Sequence, residues 1–366
     1  MRRWLVLSPH LDDAALSLGA TLHERARRGD RVTVASIFTA SDEARAALYL
    51  QRASEDRDAA ALLGVDALHL GLLDAPFRHP HTPIAQAVFA PQDELADLDA
   101  LKALTGLLGD LLSGGHFDEV TAPLGVGGHL DHRLTFDALQ RAAWGGPTAF
   151  YEDRPYAFVA GATAVRWHTL GASPCAGEPP AWARPEGDAR LTFARHYERD
   201  DDGRHPACRL TEGRAALPPE ADRLGAWRWR GQRYEQRARV LPEPSRGALI
   251  DAIACYGSQR EGLFGAAPDA IQATFAAFAA DPLGQWREVE WHPSGTSPCP
   301  EGDLEKRLRN SRPSSWGSKA AICGSASFGR GAASGGALPQ PSIAQSTPVY
   351  FRPPTTRPFI SQPLLT

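Results

Sequence analysis

Two short runs concentrate the side chains that can hold a cation or move a proton. One is Ser8-Pro9-His10-Leu11-Asp12-Asp13, the other Gly125-Val126-Gly127-Gly128-His129-Leu130-Asp131-His132. Residues three apart at the start of a helix face one point, so His10 and Asp13 can share a ligand while Asp12 points elsewhere and stays free. His129 and His132 have the same offset, so one can ligate while the other reaches past the metal. Two imidazoles and one carboxylate suit Zn2+, with bonds of about 2.0–2.2 Å and a position left open for water, as a catalytic site requires. The glycines before His129 let the backbone approach a substrate closely. The plainer account of the first run is helix capping, since Asp is a favoured N-cap and its charge suits the helix dipole.

For the two runs to serve one site, the elements that carry them must lie side by side. Trp4–Ser8 has the apolar run of a buried strand, Val32–Phe38 that of a second, Ala67–Gly71 of a third, Phe117–Pro123 of a fourth and Thr148–Glu152 of a fifth. Helical spacing separates them over Ala14–Gly29, Glu43–Leu63 with Gly64 as its C-cap, Leu95–Leu112 and Leu130–Trp144, while Leu73–Pro83 is a loop. This alternation predicts an α/β fold: a Rossmann-like, mostly parallel sheet with helices on both faces. In the doubly wound strand order 3-2-1-4-5, the first and fourth strands are neighbours, and the crevice outside their carboxyl ends is where such folds bind ligands. Both runs stand at those carboxyl ends.

The remaining length divides by texture. Residues 1–160 are expected to form the core with the metal site, 161–245 an inserted lid of β-hairpins and loops, and 246–291 the C-terminal helices of the core. Residues 292–366, rich in Ser, Gly and Pro, are expected to form a disordered basic tail. Of the 366 residues 43% are hydrophobic, enough for a real core, which excludes wholesale disorder. The net charge of −4 gives no reason to expect nucleic acid, and it conceals a split: no acid follows Glu305, and the eight Lys and Arg beyond it make a tail of +8 against −12 for the rest. Such a tail fits an anionic surface, but a non-homologous or frame-shifted extension accounts for it more simply. The apolar stretch Trp4–Leu7 is too short for a secretory or membrane segment, so a cytoplasmic protein is expected. The five cysteines, with no C-x-x-C pair, argue against a disulfide framework.

The paired motifs resemble those of the PIG-L/LmbE-like family of zinc-dependent N-acetylglucosamine deacetylases. Its His-Pro-Asp-Asp and His-Pro-Asp-His stand here as His10-Leu11-Asp12-Asp13 and His129-Leu130-Asp131-His132, with Leu in place of the commoner Pro. Arg52 and Glu55 match the family's Arg-x-x-Glu helix, and Leu70-Gly71-Leu72-Leu73-Asp74 its Leu-Gly…Asp loop. The resemblance makes His10, Asp13 and His132 the zinc ligands and Asp12 the general base. It makes His129 a stabiliser of the oxyanion, with Asp131 holding the His129 ring, and it makes Arg52 and Asp74 substrate contacts. Tyr151, Glu152 and Asp153 line the pocket or cap a strand end, whereas Tyr256 and Gln259 are taken as helix packing.

The activity so implied is zinc-dependent removal of an N-acetyl group from a small amino-sugar conjugate, releasing acetate and a free amine. The cofactor is Zn2+, and a homo-oligomer is compatible with the sequence. The alternatives are an amidase of the same metal type acting on another N-acyl natural product, and a non-catalytic sugar-binding α/β protein. The free Asp12 argues against the last, because a binding module has no need of a base beside a metal.

Overall fold

Trp4-Leu5-Val6-Leu7 carries no polar residue, so a strand made of it must be covered on both faces. In the computed structural model, which describes residues 1–81, 95–158, 161–175, 225–265, 267–280 and 283–294, this run is the core of β1 (Arg3–Ser8), the middle of a parallel sheet. Its neighbours are β2 (Arg31–Ser36) and β4 (Glu119–Pro123), with β3 (Asp66–His69) beyond β2 and β5 (Thr148–Tyr151) beyond β4. The order β3-β2-β1-β4-β5 is the one expected. Side-chain alternation assigns the two faces: Leu5 and Leu7 pack with Leu104, Leu108 and Leu134 on one, and Trp4 and Val6 with Leu18, Leu22 and Ala252 on the other.

Each helix follows the strand it must cover. The helix α1 (Asp13–Arg27) leaves β1, α2 (Ala46–Leu63) leaves β2 and ends at Gly64 with φ 72°, and the short α3 (Ala75–Arg78) follows β3 inside the segment expected to be loop. Then come α4 (Leu95–Gly115) and α5 (Leu130–Arg141). Further on are α6 (Ala162–Thr169), α7 (Glu243–Ala254), α8 (Gly257–Phe264) and α9 (Ala270–Phe278). Among the C-terminal helices, α7 and α8 are separated by a break at Cys255-Tyr256. Helices α1 and α7 cross closely: a Cβ on Gly19 would lie 2.6 Å from Leu249 Cδ1. No helix among the described residues is long and apolar enough to cross a membrane.

The sheet does not stop at β5. The strand β9 (Arg287–Ser294) pairs antiparallel with it, and β8 (Gln232–Val240), β7 (Ala226–Trp229) and the two-residue β6 (Ser173–Pro174) follow outward. This corrects two expectations. The strands within the described parts of 161–245 extend the main sheet instead of forming a lid over it, and residues 287–294 are a strand where helices and then a tail were expected. The alternation of β9 is masked because its inward positions include Glu288, which is buried and accepts the backbone N–H of Ala20 (2.9 Å) and Thr21 (2.8 Å). Residues 176–224 and 295–366, most of the expected lid and tail, lie outside the described residues. Cys175 and Cys255 are free thiols.

Candidate metal centre

The turn out of β1 is tied down by its own side chains. Ser8 Oγ donates to the His10 carbonyl (2.6 Å) and accepts from the Ala14 N–H (3.0 Å), while Asp13 Oδ2 accepts the His10 backbone N–H at 2.8 Å. Asp12 occupies the N-cap position of α1 but makes no side-chain capping bond. Its carboxylate is thus free of the duty that the plainer account would assign it.

The turn out of β4 brings the second run to the same crevice. Gly125 and Gly127 have φ of 82° and 85°, and a Cβ on Gly127 would lie 2.4 Å from the Tyr156 ring, so the chain can make this approach only with glycine there. His129 caps α5, its Nδ1 accepting the Asp131 N–H at 3.2 Å. The rings of His10, His129 and His132 then stand 4.8–5.3 Å apart, centre to centre.

Asp13 Oδ2 lies 3.0 Å from His10 Nδ1 and 3.3 Å from His132 Nε2. The ligand atoms of these three residues all fall within 4.8 Å of one another. Each histidine is backed on its other nitrogen. His132 Nδ1 meets Asp153 Oδ1 at 2.6 Å, and His10 Nε2 meets Asp131 Oδ2 at 3.1 Å with Asp74 Oδ1 at 3.6 Å. A carboxylate on one ring nitrogen holds the proton there and leaves the other nitrogen's lone pair for a cation. The donor set and its backing therefore fit a divalent metal. His10, His129 and Asp131 form a second possible group, but Asp131 is also bonded by Arg78 (2.6 Å) and the Ala75 N–H (3.0 Å).

The buried charges show what the site demands. Burial lowers His132, but Asp13 and Asp153 outweigh it and push the imidazole up to about 9. Burial likewise opposes protonation of His10, yet Asp74, Asp13 and Asp131 hold it well above its ordinary value. Asp13 is held well below the usual carboxylate range despite burial, by His132 and His10. Without a cation, two imidazolium groups thus supply the positive charge the carboxylates require, a charge that a dication supplies without protons. His129 goes the other way: burial, then the charges of His10 and His132, keep it neutral. Burial and the adjacent Asp13 charge push Asp12 up to about 7.

The three expected ligands, with Asp12, His129 and Asp131, thus converge on one crevice. Asp131 differs from expectation in its role: its carboxylate bonds Arg78, Ala75 and His10, and the contact to His129 comes through its backbone N–H. Asp74, expected at sugar hydroxyls, is buried and bonded to Tyr49 OH beside His10. Arg52 lies over the Tyr49 ring at 5.2 Å, its charge favouring ionised Asp12, and its buried Nε has no hydrogen-bond partner among the described residues.

Two residues gain roles that sequence spacing did not assign them. Asp153 bonds His132 and also accepts the N–H of Gly125 (2.8 Å) and Val126 (2.9 Å). Gln259, expected as helix packing, donates from Nε2 to Asp12 Oδ2 at 2.8 Å. Asp153's position just past the fifth strand was a signal for it; Gln259 had no comparable one. Away from this cluster, His69 is paired with Asp56 (2.8 Å) and His79 with Asp97 (3.0 Å).

Residues 5–143 match the model of the family described as PIG-L, GlcNAc-PI de-N-acetylase. The chain is 33% identical over 171 residues to 2'-N-acetylparomamine deacetylase of Streptomyces fradiae, a match that spans 42% of this chain and 58% of that relative's length. Among solved structures, the zinc-inhibited form of teicoplanin deacetylase aligns over 81% of this chain and 100% of its own, at 20% identity and a TM-score of 0.52. The A40926 pseudoaglycone deacetylase aligns over 81% and 99%, at 22% identity and a TM-score of 0.50. These two likenesses concern the fold. Both motifs, His10 to Asp13 and His129 to His132, lie inside the segment that resembles the PIG-L de-N-acetylase family.

Proposed function

We propose that this protein is a zinc-dependent hydrolase that removes the N-acetyl group from an amino-sugar conjugate. The observation that carries the proposal is Asp12: a buried carboxylate at a helix N-cap that does no capping, beside a His10-Asp13-His132 cluster fit for a cation. His10, Asp13 and His132 would hold Zn2+, which when bound polarises an acyl carbonyl and makes water a better nucleophile. Asp12 accepts the proton of the water that attacks the carbonyl carbon, then gives it to the nitrogen as the carbon–nitrogen bond breaks, so acetate and a free amine leave. His129 is neutral, and its Nδ1 accepts the Asp131 N–H, so its proton sits on Nε2 as a donor for the developing oxyanion. Arg52, with an unpartnered Nε, faces the substrate, and Asp74 supports His10.

The substrate class rests on the relative that acts on 2'-N-acetylparomamine. A cytoplasmic location fits the free thiols Cys175 and Cys255. The test is release of acetate from a panel of N-acetylated amino-sugar glycosides by the purified, zinc-loaded protein, beside Asp12→Asn. The variant is expected to bind zinc in the wild-type ratio and to lose activity by at least about a hundredfold. Wild-type protein without stoichiometric metal, or full activity in the variant, overturns the proposal.

A further inference from the structure

Gln259 reaches the base from far along the chain, and its placement is heavily determined. The turn before α8 and its first residues are fastened to α2: Tyr256 OH donates to Asp56 Oδ1 at 2.9 Å, and Ser258 donates to Glu55 through its backbone N–H (2.9 Å) and its hydroxyl (2.6 Å). Asp56 is itself pinned by His69 Nε2 at 2.8 Å. These bonds set the next residue, Gln259, with Nε2 on Asp12 Oδ2 at 2.8 Å. The amide thus presents its NH2 to Asp12 and turns its carbonyl oxygen away. That oxygen, Oε1, is buried and has no hydrogen-bond partner among the described residues. Arg52 Nε, from the same α2, is also buried and unpartnered, and its charge acts on Asp12.

A buried acceptor without a donor is rare in folded proteins and calls for an explanation. Here it belongs to a side chain whose other end holds the proposed base. We propose that Gln259 is a substrate-contacting residue whose Oε1 accepts the N–H of the scissile amide while its Nε2 fixes Asp12, aligning the leaving nitrogen with the base. This rests on the deacylase reading. No bond to Gln259 is made or broken; it acts by hydrogen bonding alone, and it confers a preference for amides over esters, which lack the N–H.

The experiment compares acetate release from N-acetyl amino-sugar glycosides with release from the matching O-acetyl glycosides. It uses zinc-loaded wild type, Gln259→Leu and Gln259→Glu, with zinc affinity and melting temperature measured alongside. Gln259→Leu is expected to lower kcat/KM for the amide about tenfold or more relative to the ester, the range for one lost hydrogen bond in a buried site, with zinc affinity unchanged. Gln259→Glu keeps an acceptor and loses the donor, so total rates fall while the amide-to-ester ratio stays within about threefold of wild type. Equal losses on both substrate types in Gln259→Leu, or a collapsed ratio in Gln259→Glu, overturns the role of Gln259 and leaves the deacylase reading standing. If Gln259→Leu does not fold, the ratio in Gln259→Glu decides. A wild type that releases acetate from neither class overturns the reading and this role together.

Discussion

The parallel and antiparallel halves of the single sheet bury different things. At the carboxyl ends of β1, β4 and β5 the buried side chains include Asp12, Asp13, His129, Asp131, His132 and Asp153. In the antiparallel half a cluster of aromatic rings is buried: Trp167 stacks on Trp227 with ring centres 6.4 Å apart, and meets Tyr234 at 5.2 Å and Trp291 at 5.4 Å. The difference follows from direction. Parallel strands all end at the same edge, so the turns after them gather there however far apart they lie in the chain. Antiparallel neighbours end at opposite edges, so their turns do not converge and their inward faces serve packing. The candidate metal centre therefore sits in the first half, and the second extends the core.

That division can be broken by experiment. The largest effect is expected from Trp291→Ala, which empties a site now 1% exposed and should cost about 3–5 kcal/mol of stability in urea unfolding. Zinc affinity per folded molecule should be unchanged; a large loss of it would mean that the halves are coupled. Next comes Asp153→Asn. The N–H groups of Gly125 and Val126 both require an oxygen, so the new NH2 must face His132 Nδ1 and drive the imidazole proton to Nε2, the atom that faces Asp13. Zinc affinity should fall about 10–100-fold, measured by chelator competition, with little change in melting temperature. An unchanged affinity would remove Asp153 from the site. The smallest effect is that of pH. The facing carboxylates push His132 up to about 9 and hold His10 well above its ordinary value, and both must lose their protons to ligate, so zinc affinity should rise with pH through the neutral range. The slope is about tenfold per unit for each proton released, and calorimetry in buffers of different ionisation enthalpy counts those protons. Binding without proton release would show that the histidines are already neutral.

What could be seen in advance follows the range of the interactions. The alternation of strand and helix through residue 151, the strand order and the placing of both motifs were legible because buried parallel strands are written as apolar runs. β9 was hidden because Glu288 points inward and is satisfied by backbone N–H groups of α1. The short α3 was hidden inside a segment rich in Pro and His. The Asp131 carboxylate bonds Arg78, 53 residues away, a partner that sequence proximity to His129 does not disclose.

The sequence by itself determined which groups stand at the ends of β1 and β4, since His10, Asp12 and Asp13 are held together by three consecutive peptide links, as are His129 to His132. Local geometry then settles which of them can face one point. Only the tertiary structure decided what those groups touch. Asp153 reaches His132 across 21 residues and Gln259 reaches Asp12 across 247, through the pairing of β4 with β5 and the docking of α8 on α2. A hydrogen bond made by packing leaves no periodicity in the chain, so the atoms that tune the site emerge only when the elements are assembled.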